Sequence, residues 1–157
     1  MNRNPGAHAS QQGRGTLVSV GYEGRDATEL TQQLGQLGVS VVADVRLNAI
    51  SRKRGFSKTA LRGELEHAGI DYVHLPALGN PRDNRDGFRA GSPAAHHRYQ
   101  HALAAPEAVA ALDELVALLA DGVVAVICVE ADHEICHRSH VIAAIRERMP
   151  DLTVVRA

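Results

Sequence analysis

The nearly continuous apolar run at residues 39–45 constrains the fold of this chain more than any other feature of its sequence. Most of its residues are β-branched or small and apolar, and only Ser40 and Asp44 interrupt them. A strand with one face in water alternates apolar and polar residues, whereas a strand covered on both faces does not. We therefore expect a parallel sheet that is buried on both sides.

The segments on either side of this run alternate between strand and helix patterns. Short apolar runs predict further strands at residues 16–20, 70–75, 123–129 and 152–155. Helical spacing of apolar residues predicts helices after the capping residues Asp26 and Ser57, from Pro106 to Gly122 and from Cys136 to Met149. Parallel strands need crossovers, which are usually helices, so the fold class is α/β with three layers: a mainly parallel β-sheet with helices on both faces.

Length and composition favour one soluble domain. The 157 residues fit a disordered, polar leader at residues 1–15 followed by a single α/β domain at residues 16–157. No apolar stretch approaches the roughly 20 residues that cross a bilayer, and no secretory signal is recognisable. Two cysteines are too few for a disulfide scaffold. These features predict a cytoplasmic protein with free thiols and no membrane partner.

Polar residues stand where the predicted strands end. Ligands bind at the carboxyl edge of such sheets, so these residues are expected to form one site. They are Tyr22, Glu23 and Arg25 after the first strand, Asp44 and Arg46 after the second, His74 after the third, and Cys128 and Glu130 after the fourth.

Two further stretches are compatible with function. Residues 46–62 hold six basic residues, Arg52 among them, and no acidic one, which suits either a phosphate-binding patch or a solvated loop. Residues 76–93 are rich in Gly, Pro, Asn and Asp and predict a long loop that could act as a lid over the site.

Several short motifs carry a family resemblance. They are Gly21-Tyr22-Glu23-Gly24-Arg25, Asp44-Val45-Arg46, Ser51-Arg52, Gly55-Phe56-Ser57, Tyr72-Val73-His74-Leu75-Pro76, Leu78-Gly79-Asn80-Pro81, Cys128-Val129-Glu130 and Cys136-His137-Arg138. With them, the chain resembles the domain of unknown function 488 family from Leu17 to Met149. Ala49 and Arg54 stand where the family pattern often has proline. The resemblance implies an α/β fold and a shared polar site, but no settled reaction.

The segment from Cys128 to Arg138 has the most chemical potential. Cys136 is expected at or just before a helix N-terminus, where its thiol pKa would be lowered, although a buried structural thiol is the alternative. Glu130 suits a general base or an ion pair with an arginine. Arg138 suits the binding of a phosphate or carboxylate, with a salt bridge that closes the sheet edge as the alternative. His137 is either part of the site or bonded to the preceding loop, and Cys128 is expected to be structural.

No metal and no cofactor is predicted. Cys128, His133, Cys136 and His137 include ligands that zinc prefers, but their spacing lacks the paired short knuckles of structural zinc sites. His97 and His101 are expected on the surface of an alanine-rich helix.

These patterns predict a small enzyme or ligand-processing domain whose site takes an anionic, phosphate-bearing ligand, possibly a nucleotide or nucleic acid. Glu130, Cys136 and His137 are the candidate catalytic residues. The candidate ligand-binding residues are Tyr22, Arg25, Asp44, Arg46, Arg52, His74 and Arg138. The alternative is a non-catalytic module that binds nucleic acid or protein, in which the Cys-x-Glu and Cys-His-Arg motifs are structural.

Overall fold

The sheet is parallel throughout, as the sequence predicts. The computed structural model describes residues 14–157. Its five strands are β1 (Thr16–Gly21), β2 (Val39–Asp44), β3 (Asp71–His74), β4 (Val123–Cys128) and β5 (Thr153–Arg156). They form one sheet in the order β3-β2-β4-β1-β5, and every neighbouring pair is parallel.

Six α-helices lie in the part of the chain that the structure describes. They are α1 (Ala27–Gln36), α2 (Lys58–His67), α3 (Arg85–Arg89), α4 (Pro93–Leu103), α5 (Pro106–Asp121) and α6 (Arg138–Arg148). Single 3₁₀ turns occur at Pro76–Leu78, Arg82–Asn84 and His133–Ile135. The predicted three-layer α/β fold is confirmed.

The sheet has a separate apolar core on each face. Val18, Val20 and Ile127 belong to the core formed with α1 and α2. Leu17 and Val126 belong to the core formed with α3, α4, α5 and α6. Successive strand residues point to opposite faces, so a strand buried on both must be apolar throughout. The 0% exposure of every residue from Val124 to Ile127 shows why β4 has no polar alternation.

The prediction of a loop over residues 76–93 is wrong. Two 3₁₀ turns and α3 occupy most of it, and α4, the alanine-rich helix expected to carry His97 and His101, begins at Pro93. The Ser92 side chain caps α4 by accepting a hydrogen bond from the Ala95 amide. Only a narrow row of residues on α4 is buried, comprising Ala95, Tyr99 and Leu103. A stripe this narrow gives little periodic signal.

Gly15, near the beginning of the described residues, is bonded to α5 and to β5. Most of the predicted leader, residues 1–13, lies outside the described residues, but the amide of Gly15 donates to the Leu119 carbonyl and its carbonyl accepts from the Thr153 amide. Within residues 14–157, no helix has the length and apolarity that a membrane span requires.

Candidate functional site

The strand order brings the ends of β2, β4 and β1 side by side at the carboxyl edge of the sheet. Asp44 pairs with Ile127, and Gly21 pairs with Cys128, across these neighbouring strands. Strand alternation then separates the polar residues. Asp44 lies on the side of α1 and α2, whereas Cys128 packs in the core on the side of α5 and α6. The predicted site therefore consists of two clusters on opposite faces of the sheet.

The first is the aspartate–arginine cluster, formed by Tyr22, Asp44, Arg46, Phe56 and Tyr72. Arg46 binds Asp44 through two nitrogens, with Nε 2.9 Å from Oδ1 and Nη2 2.6 Å from Oδ2. Arg46 Nη1 donates to the carbonyl of Phe56 at 2.6 Å. The Tyr72 hydroxyl donates to Asp44 Oδ2 at 2.6 Å. The Tyr22 and Phe56 rings stack with their centroids 4.4 Å apart. Every strong polar group therefore has a partner inside the cluster.

Burial and pairing fix the charges of this cluster. Asp44 is 0% and Arg46 3% exposed. Burial alone would lower the pKa of Arg46, but the hydrogen bonds and charge of Asp44 outweigh it and raise that pKa. Burial, followed by the hydrogen bond to Asp44, raises the pKa of Tyr72. The cluster is thus a closed ion pair that joins β2, β3 and the loop before α2.

The second is the thiol–imidazole cluster, formed by Cys128, Cys136 and His137. His137 Nδ1 lies 3.8 Å from Cys128 Sγ and 3.8 Å from Cys136 Sγ. One ligand atom from each residue lies within 4.8 Å of the others, and all three residues are buried. His137 Nε2 is 2.9 Å from the Val45 carbonyl oxygen. A carbonyl oxygen only accepts hydrogen bonds, so the ring proton is on Nε2. In the neutral ring, Nδ1 then carries a lone pair, which faces the two sulfurs.

Glu130 lies beside this cluster and is held by an arginine that sequence reasoning missed. Arg89 Nε and Nη2 donate to Glu130 Oε1 at 2.9 and 2.7 Å, while Oε2 is 3.7 Å from Cys128 Sγ. Burial would raise the pKa of Glu130, but the hydrogen bonds from Arg89 outweigh burial and hold that pKa below its usual value. Glu130 is therefore an ionised carboxylate.

Arg138 points into the protein. Its Nε donates to Ser19 Oγ at 3.0 Å, Nη2 donates to the Glu130 carbonyl at 2.8 Å, and Nη1 lies 3.4 Å from Cys136 Sγ. The residue is 1% exposed and, within residues 14–157, forms no ion pair with a carboxylate. A guanidinium placed in this way positions the Glu130 backbone and the Cys136 sulfur.

The predicted activation of Cys136 by a helix N-terminus is wrong. Helix α6 begins at Arg138, with His137 as its N-cap, so Cys136 does lie just before the helix, but its pKa is not lowered there. Burial, followed by the hydrogen bond with Cys128, raises the pKa of the Cys136 thiol. Cys136 in this environment is a neutral thiol, and nucleophilic reactivity of the kind expected from a lowered pKa is not supported.

A pocket with a cavity volume of about 50 Å³ opens beside the thiol–imidazole cluster. Cys128, Glu130 and His137 form one wall, and Arg46 and Asn48 contribute from the loop after β2. The opposite wall comes from the segment between β3 and α4, through Asn80, Arg85, Phe88 and Arg89. Arg85 and Arg89 were missed because a segment without periodicity gives no indication of which side chains face inward. Their i, i+4 spacing was the one available signal.

Other predicted site residues lie away from the pocket. The Arg25 side chain donates to Gln33 Oε1 at 2.8 Å, and Arg52 is exposed. His74 is half-buried and its Nε2 donates to the Arg46 carbonyl at 2.7 Å, so it supports the loop from behind. His133 contacts Ser19 Oγ at 2.7 Å, apart from the cysteines. Tyr22, Phe56 and Tyr72 are buried, and their rings pack rather than stack on a ligand.

Gly21 fixes the position of Glu130. A Cβ added at residue 21 would overlap the carbonyl group of Glu130 and come within 2.8 Å of the Ala131 Cα. The same Glu130 carbonyl accepts the hydrogen bond of Arg138. Only glycine allows the end of β1 to approach this backbone so closely.

Comparison with known proteins identifies one family. No curated protein and no solved structure matches the chain. A family model described as "Domain of unknown function DUF488" matches residues 26–145, which are most of the chain. The match begins after Gly21-Tyr22-Glu23-Gly24-Arg25, so that motif lies outside it, whereas both polar clusters, apart from Tyr22, lie inside it. The chain therefore belongs to the DUF488 family.

Proposed function

We propose that the pocket binds a small anionic ligand that bears a phosphate, and that the protein is a small ligand-processing enzyme. The supporting observation is an arginine that has no carboxylate partner among residues 14–157 and lies in a polar pocket at the carboxyl edge of a parallel sheet, which is where ligands bind in this architecture.

Arg85 is that arginine. Its Nε donates to the Asn80 carbonyl at 3.2 Å, and within residues 14–157 it forms no ion pair. The other two pocket arginines are paired, Arg46 with Asp44 and Arg89 with Glu130. Arg85 therefore supplies the pocket with a positive charge that no acid offsets, and its terminal nitrogens are suited to phosphate oxygens.

The pocket size favours a small molecule over a nucleic-acid strand. The cavity of about 50 Å³ is far below the roughly 300–1,000 Å³ of sites that enclose a whole drug-sized ligand, so it has room for a phosphate-sized group rather than for a stacked base. The formal net charge of −1 also gives no general attraction for a polyanion. A mononucleotide or a sugar phosphate would place its phosphate group in the pocket and the rest of the molecule outside it.

One wall of the pocket consists of Glu130, Cys128 and His137. Glu130 is ionised and therefore suited to accept a proton or orient a water molecule. Cys136 lies behind this wall. Of the three predicted catalytic residues, we therefore propose a catalytic role for Glu130 and His137, and a structural role for Cys136.

The test is ligand binding by matched arginine variants. Isothermal titration with inorganic phosphate, mononucleotides, sugar phosphates and a short single-stranded oligonucleotide should give saturable binding of at least one phosphate-bearing small molecule to the wild-type protein. Arg85→Ala should weaken that binding about tenfold or more, the loss of one charge-assisted contact of about 1.5–3 kcal/mol. Arg82→Ala removes an equal charge from an exposed neighbour outside the pocket and is the control.

Equal weakening by Arg82→Ala would show a general electrostatic effect and contradict the proposal. Wild-type protein that binds no phosphate-bearing small molecule would also contradict it. Binding of the oligonucleotide alone, unaffected by Arg85→Ala, would favour the alternative of a nucleic-acid-binding module with structural motifs.

A further inference from the structure

We infer that Cys128, Cys136 and His137 bind a divalent, zinc-like cation. The chain's only two cysteines lie on different elements, Cys128 at the end of β4 and Cys136 just before α6, and the fold brings both to the same imidazole nitrogen. Among residues 14–157, this is the one group of three or more such side chains with converging ligand atoms.

The distances between the ligand atoms suit a tetrahedral metal. Bonds of about 2.3 Å to sulfur and about 2.0–2.1 Å to nitrogen imply, for tetrahedral angles, sulfur–nitrogen separations of about 3.5 Å. Both sulfur–nitrogen separations in the protein are 3.8 Å. A shift of a few tenths of an ångström would bring each sulfur–nitrogen pair to bonding geometry.

The imidazole is already in the tautomer that a metal requires. His137 Nε2 donates its proton to the Val45 carbonyl, which leaves the Nδ1 lone pair directed at the sulfurs. Histidines that bind metals are usually oriented by such a hydrogen bond from the other ring nitrogen. Without a metal, Nδ1 has only two weak sulfur contacts in a buried site.

The surrounding charges support the same inference. Arg138 Nη1 is 3.4 Å from Cys136 Sγ, and this buried guanidinium has no carboxylate partner within residues 14–157. A metal-bound sulfur is a thiolate, which is a better acceptor for that cation than a neutral thiol. Binding would replace the two thiol protons, which leave to solvent.

The ligand set indicates an open site rather than a closed structural one. Three protein ligands with a free fourth position are typical of catalytic zinc, and two of these three residues line the pocket. Glu130 stands next to the set, with Oε2 3.7 Å from Cys128 Sγ. The metal inference does not depend on the proposed anionic ligand, because metal binding is measured without any phosphate.

Cobalt(II) titration of reduced, untagged protein tests the inference. A tetrahedral thiolate site should give a sulfur-to-cobalt charge-transfer band, intense visible ligand-field bands and saturation at one equivalent, and zinc should displace the cobalt. Because the chain has only two cysteines, a band with the intensity of two thiolates identifies both ligands without a variant. No such band at saturating cobalt, or the intensity of one thiolate, would overturn the inference.

Matched histidine variants complete the test. His137→Gln should weaken zinc binding roughly 100-fold or more, since even losses of outer hydrogen-bond partners cost 10–100-fold. His133→Gln, which alters a nearby histidine bonded to Ser19 instead, should leave the affinity unchanged. Folded His137→Gln protein that binds zinc as tightly as the wild type would contradict the inference. Arg85→Ala should not change the zinc affinity, because Arg85 is not one of the three ligands. The metal titration can therefore succeed even if the protein binds no phosphate.

Discussion

The two polar clusters at the carboxyl edge of the sheet differ in how far their groups satisfy one another. In the aspartate–arginine cluster, Asp44 accepts from Arg46 and Tyr72, and Arg46 uses its remaining side to bind Phe56. In the thiol–imidazole cluster, the His137 Nδ1 acceptor faces two sulfurs at 3.8 Å, and the adjacent Arg138 has no carboxylate partner among the described residues. We infer that the first cluster stabilises the fold and that the second is adapted to a ligand.

Loss of Asp44 should have the largest effect on stability. Asp44→Ala leaves the guanidinium of Arg46 buried without its carboxylate, which typically costs about 3–5 kcal/mol of unfolding free energy. Urea denaturation measures this cost. Asp71→Ala removes an exposed carboxylate from β3 and is the control. A loss for Asp44→Ala of under about 1 kcal/mol, as for surface pairs, would contradict a structural role.

Gly21→Ala should destabilise the connection between β1 and Glu130. The added methyl overlaps the Glu130 carbonyl, and overpacking of this kind costs about 1–3 kcal/mol. Urea denaturation measures this loss of unfolding free energy. In the control Gly63→Ala the unfolding free energy should increase instead, because a Cβ in the middle of α2 meets no atom and helix propensity favours alanine by about 0.5–1 kcal/mol. Equal changes in unfolding free energy for the two substitutions would contradict the close approach of the Glu130 backbone to Gly21.

Removal of Arg89 should change the chemistry of the pocket more than the stability. The side chain is 44% exposed, so Arg89→Ala should cost under about 1 kcal/mol. The pKa of Glu130 should rise, because burial then acts without the opposing hydrogen bonds. Carbon-detected NMR titration of the Glu130 carboxyl measures that pKa. An unchanged pKa would show that Arg89 does not hold the carboxylate, and Arg98→Ala, at an exposed pair with Asp83, is the control.

Mild acid should produce the smallest effect, on the side of the sheet that holds the thiol–imidazole cluster. Burial, with the charge of His96, lowers the pKa of His140, whose Nε2 lies 2.8 Å from His96 Nδ1. The unfolded chain therefore takes up the proton first as the pH falls below about 6.5, and the unfolding free energy decreases. Urea denaturation at pH 7 and pH 5 should show this decrease, and His140→Gln should reduce it. The control His97→Gln, at an exposed histidine, should leave the decrease unchanged. A decrease of the same size in His140→Gln protein would show that other groups cause it.

The fold could be predicted from the sequence because its signals are local. The apolar run of β2, the cap at Asp26 and the stripe of α5 each follow from the spacing of neighbouring residues. The bounds and the buried face of α4 could not be predicted in this way, because its burial depends on contacts of Tyr99 with the Leu78 carbonyl and the Phe88 ring, which come from elsewhere in the chain.

The site could be predicted only in part. The end of each parallel strand indicates the edge at which polar residues gather, but the division of Asp44 and Cys128 between opposite faces depends on strand alternation in three dimensions. Tertiary packing decides that Arg138 points into the protein and that Arg85 lines the pocket. No spacing in the sequence encodes either of them.

The central claim is that the pocket binds its anion through Arg85, while the Asp44–Arg46 pair remains closed. NMR observation of the arginine Nε–H signals during titration with inorganic phosphate tests it most directly. The account predicts a saturable shift for Arg85, with the Arg46 and Arg138 signals unmoved. A saturable shift of Arg46 with Arg85 unmoved, or a small unsaturated drift shared by all exposed arginines, would contradict it.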